Sequence, residues 1–202
     1  QAVGAVPDGI GILVRVAENS PAAIGHALDA GSEGVIVPLI ETAEDAARAV
    51  AFAHYPPRGV RSGGGVRPLA GGFASYRERA NERIVVGVMI ETRRGVENAE
   101  QIAATPGVDL VLIGTGDLAL SLGCAPKNDP AHEAACRRVL DACRILGRAC
   151  GIFTTSAAEA AGRRTEGYAL TVAADDLGIL SAGFTAAMEG AAAPFSSTSA
   201  PP

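Results

Sequence analysis

The stretch Ile84-Val85-Val86-Gly87-Val88-Met89-Ile90-Glu91, followed by Asp109-Leu110-Val111-Leu112-Ile113-Gly114 and then Thr115-Gly116-Asp117, decides the fold class. Both runs are Val/Ile/Leu-rich with almost no polar alternation, the mark of strands covered on both faces in a parallel sheet. Each ends in a polar or Gly-rich break carrying a carboxylate. Further runs of the same kind are Ile12–Val16, Gly34–Ile40, Ala149–Thr154 and Tyr168–Ala173.

Between these runs the sequence announces helices. Ser20-Pro21 supplies a cap and a proline at the first helical position, and Gly31 stops that helix. Thr42 opens a helix that runs to His54 before Pro56-Pro57, and Asp129-Pro130 opens one over Ala131–Leu146. Ser156 and Glu159 have capping-box spacing, a short helix is predicted around Phe73–Asn81, and a last helix follows Asp175-Asp176 to about Gly190. Strand and helix in alternation predict an α/β fold on a parallel sheet, in one domain over residues 1–190, with 191–202 a disordered Ala/Pro/Ser tail.

Composition narrows the function. The 202 residues carry 17 basic and 22 acidic side chains and only 4% aromatics, so neither the basic stripe nor the stacking platform of a nucleic-acid binder is present. No apolar run approaches the roughly 20 residues that cross a bilayer, and the reading is of a cytoplasmic protein. Cys124, Cys136, Cys143 and Cys150 lack metal-ligand spacing and read as ordinary thiols. There is no GxGxxG after the first strand, no GxxxxGK[ST], and the one lysine, Lys127, lies in a loop rather than on a strand.

Chemistry concentrates in a few positions. Glu91 and Asp117 follow consecutive strands, which a right-handed βαβ connection makes neighbours opening on one rim. There they suit a hard divalent cation, or else serve as a helix cap and a loop residue. Arg61, in Tyr55-Pro56-Pro57-Arg58-Gly59-Val60-Arg61, suits a carboxylate or keto acid, or is a solvated loop arginine. Two long segments, Arg58–Gly72 and Gly116–Asp129, read as loops of the kind that hold active sites. Gly114-Thr115-Gly116-Asp117 offers backbone N–H groups to an anion. His26, His54 and His132 all fall on helices and are assigned no catalytic role.

Taken in order, Gly34-Val35-Ile36-Val37-Pro38, the Tyr55–Arg61 segment, Ile90-Glu91-Thr92, Pro106-Gly107-Val108-Asp109 and Ile113–Leu118 resemble the HpcH/HpaI aldolase/citrate lyase family. The resemblance implies a (β/α)8 TIM barrel of the phosphoenolpyruvate/pyruvate superfamily, of which this chain carries about six βα units. It implies cleavage of a 4-hydroxy-2-oxo acid to pyruvate and an aldehyde with Mg²⁺, Mn²⁺ or Co²⁺. Glu91 and Asp117 would hold the metal, Arg61 would contact the keto acid, and the backbone at Thr115 and Gly116 would receive its carboxylate. A homo-oligomer, hexameric by resemblance, is also implied.

Three departures qualify the resemblance. Thr115 stands where the family usually has proline, which would loosen the loop, and Met89 stands where many members have glutamine. The family's two preceding βα units, with the acidic-His motif that moves protons, are not matched, so an open six-stranded sheet with two unpaired edges is predicted. A citramalyl- or malyl-CoA lyase of the same superfamily, and a non-catalytic module binding an oxo acid or a partner, are the alternatives.

Overall fold

In the computed structural model, which describes residues 9–63, 72–124 and 129–192, six parallel strands form one sheet in the order of the chain. They are β1 (Leu13–Arg15), β2 (Gly34–Val37), β3 (Val85–Ile90), β4 (Leu110–Ile113), β5 (Ala149–Ile152) and β6 (Leu170–Thr171). Sequential order with helical crossovers is the arrangement of a (β/α) barrel, here as a curled half-barrel whose β1 and β6 are edges.

The described helices are α1 (Pro21–Asp29), α2 (Ala43–Ala53), α3 (Phe73–Arg83), α4 (Arg93–Glu97), α5 (Ala99–Ala104), α6 (Thr115–Leu122), α7 (Pro130–Ile145), α8 (Ala157–Thr165) and α9 (Asp176–Ala192). Their ends follow the local chemistry. Ser20 Oγ accepts from Ala23 N ahead of α1. Thr42 and Asp45 form a reciprocal capping box ahead of α2, and Asp129 accepts from Ala131 N at the start of α7. Before α8 the pairing differs from the predicted box. Ser156 Oγ accepts from Glu159 N, but the Glu159 carboxylate reaches the Thr155 amide and hydroxyl, one residue earlier.

The absence of polar alternation in β3 and β4 has the predicted cause. Val86, Val88, Ile90, Val111 and Ile113 join Ile24, Leu28, Ile102 and Val139 in the layer under the helices. Met89, Leu110 and Leu112 are buried too, yet lie outside that layer. Burial falls away at the edges: no residue of β1 or β6 is fully buried, whereas all of β4 is. Cys136, Cys143 and Cys150 sit in the core as free thiols. Residues 193–202, most of the predicted tail, lie outside the described residues, as do 64–71 of the Arg58–Gly72 segment. Among the described residues no helix is long and apolar enough to cross a membrane.

Candidate active site

Register builds the site. Ile90 of β3 pairs with Ile113 of β4, so the next residues, Glu91 and Gly114, leave the sheet side by side at the C-terminal rim. Gly114 N donates to Ile90 O at 3.1 Å and fixes that adjacency. Glu91 does not cap the following helix; Thr92 does, through Gly95 N. The Glu91 side chain is instead buried, with Oε1 accepting from Leu39 N at 2.8 Å. Leu39 delivers that N–H from a left-handed backbone (φ 54°), a conformation that costs a leucine about 1–2 kcal/mol.

Asp117 stands exposed in the first turn of α6. Together with Arg15, Met89, Glu91, Thr115 and Phe153 it lines a pocket of about 350 Å³. Burial raises the Glu91 carboxyl above the usual carboxylate range; the Leu39 N–H works against this, Asp117 adds to it, and the Arg15 charge opposes it. The predicted meeting of Glu91 and Asp117 on one rim is therefore what the strand order produces.

The predicted loop Gly116–Asp129 is helical over its first part, as α6 continues to Leu122. Gly114, its N-cap, provides no side-chain capping bond, so the amides of Thr115, Gly116 and Asp117 begin the helix facing the pocket. Thr115 is held at two points. Its hydroxyl donates to Phe153 O at 3.2 Å, and its carbonyl lies 3.0 Å from His132 Nε2.

Arg61 is not brought to this site. It is buried beside Asp29, the last residue of α1, with Nη2 2.7 Å from Oδ1, and its guanidinium lies 4.7 Å from the Tyr55 ring centroid. Its amide donates to His54 O just after α2. The ends of α1 and α2 face the N-terminal ends of the strands, so Arg61 is at the opposite rim. The cation that faces the carboxylates is Arg15, the exposed last residue of β1. Sequence did carry a signal for it, a lone charge closing the apolar run Ile12-Leu13-Val14.

Among the described residues no group of three or more His, Cys, Asp or Glu could hold a metal, and no histidine lines the pocket. Two carboxylates, one of them buried and pushed toward neutrality, fit a hard divalent cation whose other positions fall to water and a chelating ligand. A second groove, about 290 Å³ between α7 and α8, is occupied by mutually paired charges: Arg163 forms a two-pronged ion pair with Glu133 and a further one with Glu166.

A curled parallel α/β sheet with strand-end carboxylates, an arginine and free helix amides at its C-terminal rim defines a barrel-type enzyme. The chain belongs to the HpcH/HpaI aldolase/citrate lyase family, whose description matches residues 2–181. It is 37% identical over 174 residues to a hydroxypyruvate/pyruvate aldolase of Chromohalobacter salexigens, across 83% of this chain and 68% of that protein. A 5-keto-4-deoxy-D-glucarate aldolase of Salmonella arizonae is 35% identical over 175 residues, across 85% of this chain and 68% of its own. The crystal structure of an HpcH/HpaI aldolase/citrate lyase family protein from Burkholderia cenocepacia superposes with TM-score 0.82 at 37% identity, over 89% of this chain and 72% of that one.

Proposed function

We propose that this protein acts as a divalent-metal-dependent aldolase, cleaving a 4-hydroxy-2-oxo acid to pyruvate and an aldehyde. The observation that carries the reading is the placement of Glu91 and Asp117 in one pocket with Arg15 facing them. Aldolase-named relatives over most of the chain support it. Glu91 and Asp117 would hold Mg²⁺, Mn²⁺ or Co²⁺, which when bound supplies Lewis acidity toward the keto oxygen.

The chain's own groups do the rest. The Thr115, Gly116 and Asp117 amides bind the substrate carboxylate at the start of α6. Arg15, in the role expected of Arg61, faces the keto oxygen and offsets the negative charge that grows there as the C3–C4 bond breaks. Met89 and Phe153 give the pocket apolar walls that limit water. Cleavage moves the C4 hydroxyl proton away and leaves the electron pair on the pyruvate fragment, which takes a proton at C3. We further propose self-association through α9, whose Leu177, Leu180, Phe184 and Met188 are all more than half exposed.

The test is pyruvate release from 4-hydroxy-2-oxoheptanedioate or 2-dehydro-3-deoxyglucarate with Mn²⁺, after EDTA, and in Glu91→Ala. Activity indifferent to chelation and to the loss of Glu91 overturns the reading. Competition by CoA thioesters, with no turnover of the free acids, favours the citramalyl-CoA-type lyase instead.

A further inference from the structure

His132 is 2% exposed and sits in the first turn of α7, far along the chain from the pocket residues. Its Nε2 is 3.0 Å from Thr115 O in the first turn of α6. A carbonyl can only accept, so Nε2 carries the proton in this contact. The Cys136 thiol packs against the ring, with Sγ 3.9 Å from Nδ1 and 4.0 Å from Nε2. Burial pushes the Cys136 thiol up to about 12, which keeps its S–H in place as a weak donor. The ring is further fixed by its own backbone, since Asp129 Oδ1 accepts from Ala131 N at 2.8 Å and lies 3.4 Å from His132 N. The bond is thus a preset contact, buried on the His132 side, between the first turns of two helices.

We propose that His132 is a positioning residue for the anion-receiving turn Thr115–Asp117. The turn begins at Gly114, which offers no side-chain cap, and Thr115 lacks the ring that would stiffen a proline at that position. Its geometry is set instead by two hydrogen bonds from other elements: Thr115 Oγ1 to Phe153 O beyond β5, and His132 Nε2 to Thr115 O from α7. Because Asp117 is two residues further in the same turn, a shift of the Thr115 carbonyl moves both the amides and the second carboxylate. The expectation that Thr115 loosens this loop is met by a tether that only the tertiary packing reveals. That the tethered turn receives a substrate carboxylate rests on the aldolase reading; the tether itself does not.

The test compares the full chain with His132→Gln, which keeps an N–H near the Nε2 position, and His132→Leu, which keeps bulk without a donor. Hydrogen exchange is read at the Leu118 amide, which donates to Gly114 O inside the turn. Oxalate affinity is read by calorimetry in Mn²⁺. His132→Leu is expected to speed Leu118 exchange and weaken oxalate by about fivefold each, the size of one lost hydrogen bond, with His132→Gln restoring most of both. Comparable melting temperatures for the two variants separate positioning from bulk stability. Equal exchange in the two variants overturns the proposal and leaves His132 as a core filler. If the unsubstituted chain binds no oxalate with Mn²⁺, the aldolase reading fails, and the exchange contrast still decides the role of His132.

Discussion

Glu91 fits at the rim because Gly114 has no side chain: a Cβ on Gly114 would lie 2.6 Å from Glu91 Oε2 and 2.9 Å from its Cβ. The Gly114 backbone is at φ −85°, so the constraint is proximity and not conformation. Gly114→Ala must therefore push Glu91 or β4 aside, at a cost of about 1–3 kcal/mol for an overpacked contact. In metal-titration calorimetry the variant is expected to lose most Mn²⁺ affinity, and pyruvate release should fall about 100-fold or more, as for a misplaced reacting group. Wild-type Mn²⁺ affinity in Gly114→Ala would show that Glu91 does not ligate from this position.

Arg15 and Arg61 should separate cleanly by what each controls. Arg15 is exposed at the rim, so Arg15→Gln is expected to leave the melting temperature nearly unchanged and to lower kcat/KM by about 100-fold. Arg61 is buried against Asp29, Tyr55 and Tyr76, with Nε and Nη1 finding no hydrogen-bond partner among the described residues. Removing it leaves Asp29, whose side chain is 25% exposed, without its cation. Arg61→Ala is expected to cost about 2–3 kcal/mol in urea unfolding, below the fully buried case because Asp29 reaches water. The reverse pattern, with Arg61→Ala folded normally and inactive, would restore the loop arginine to the chemistry.

The contrast between these arginines shows what the sequence could and could not tell. Strand identity, strand order and the pairing of Glu91 with Asp117 were legible, because two-sided burial writes itself as unbroken apolar runs and right-handed crossovers fix the neighbours. The rim to which a loop belongs was also legible in principle. A segment following a strand opens at the C-terminal rim, and one following a helix opens at the other. The Tyr55–Arg61 segment follows α2, so its proline stiffening and Arg61 drew attention to the wrong end, while Arg15 closes a strand. The His132–Thr115 contact left no trace in spacing, since it depends on how α7 packs against α6.

Leu39 offers a test of strain in the service of the site. Its φ of 54° presents the N–H that Glu91 Oε1 accepts, while the side chain itself is 63% exposed. Leu39→Gly removes the steric penalty and keeps the N–H, against an entropic cost of about 0.5–1 kcal/mol. Its melting temperature is expected to match or exceed that of wild type, with activity retained. Leu39→Val, β-branched and poorly suited to positive φ, should lose about 1 kcal/mol or more and lower metal affinity through Glu91. Equal stability of the two variants would refute the strain.

The ion pair of Glu133 with Arg163 gives the acid dependence of stability. Hydrogen bonding to the Arg163 guanidinium holds the Glu133 carboxyl below the usual carboxylate range. A carboxyl lowered on folding contributes stability that is complete above its unfolded value, about 4.3, and is lost as pH falls through the folded value. With the Glu133 side chain 38% exposed, solvent screening limits the contribution to about 1 kcal/mol. Glu133→Gln should therefore unfold more easily than wild type at pH 7, and the gap should close as pH drops below about 4. A gap that persists unchanged at pH 3 would assign the effect to packing.

Helix α9 carries the prediction about assembly. Leu177, Leu180, Phe184 and Met188 follow one another at intervals of three and four residues and so share a face, and each is 55–72% exposed. Residues 176–190 of this helix are all exposed, so among the described residues nothing covers the stripe. Contiguous exposed apolar side chains of this extent mark an interaction surface, and a second copy of the chain offers the same stripe to pair with. Phe184 stands near its middle. Sedimentation at micromolar concentration is expected to show an oligomer for the unsubstituted chain and a smaller species for Phe184→Glu. Unchanged far-ultraviolet circular dichroism would confirm that the substitution acts on association and not on folding. A monomer in both cases would sink self-association through α9 while leaving the pocket at the ends of β3 and β4 untouched.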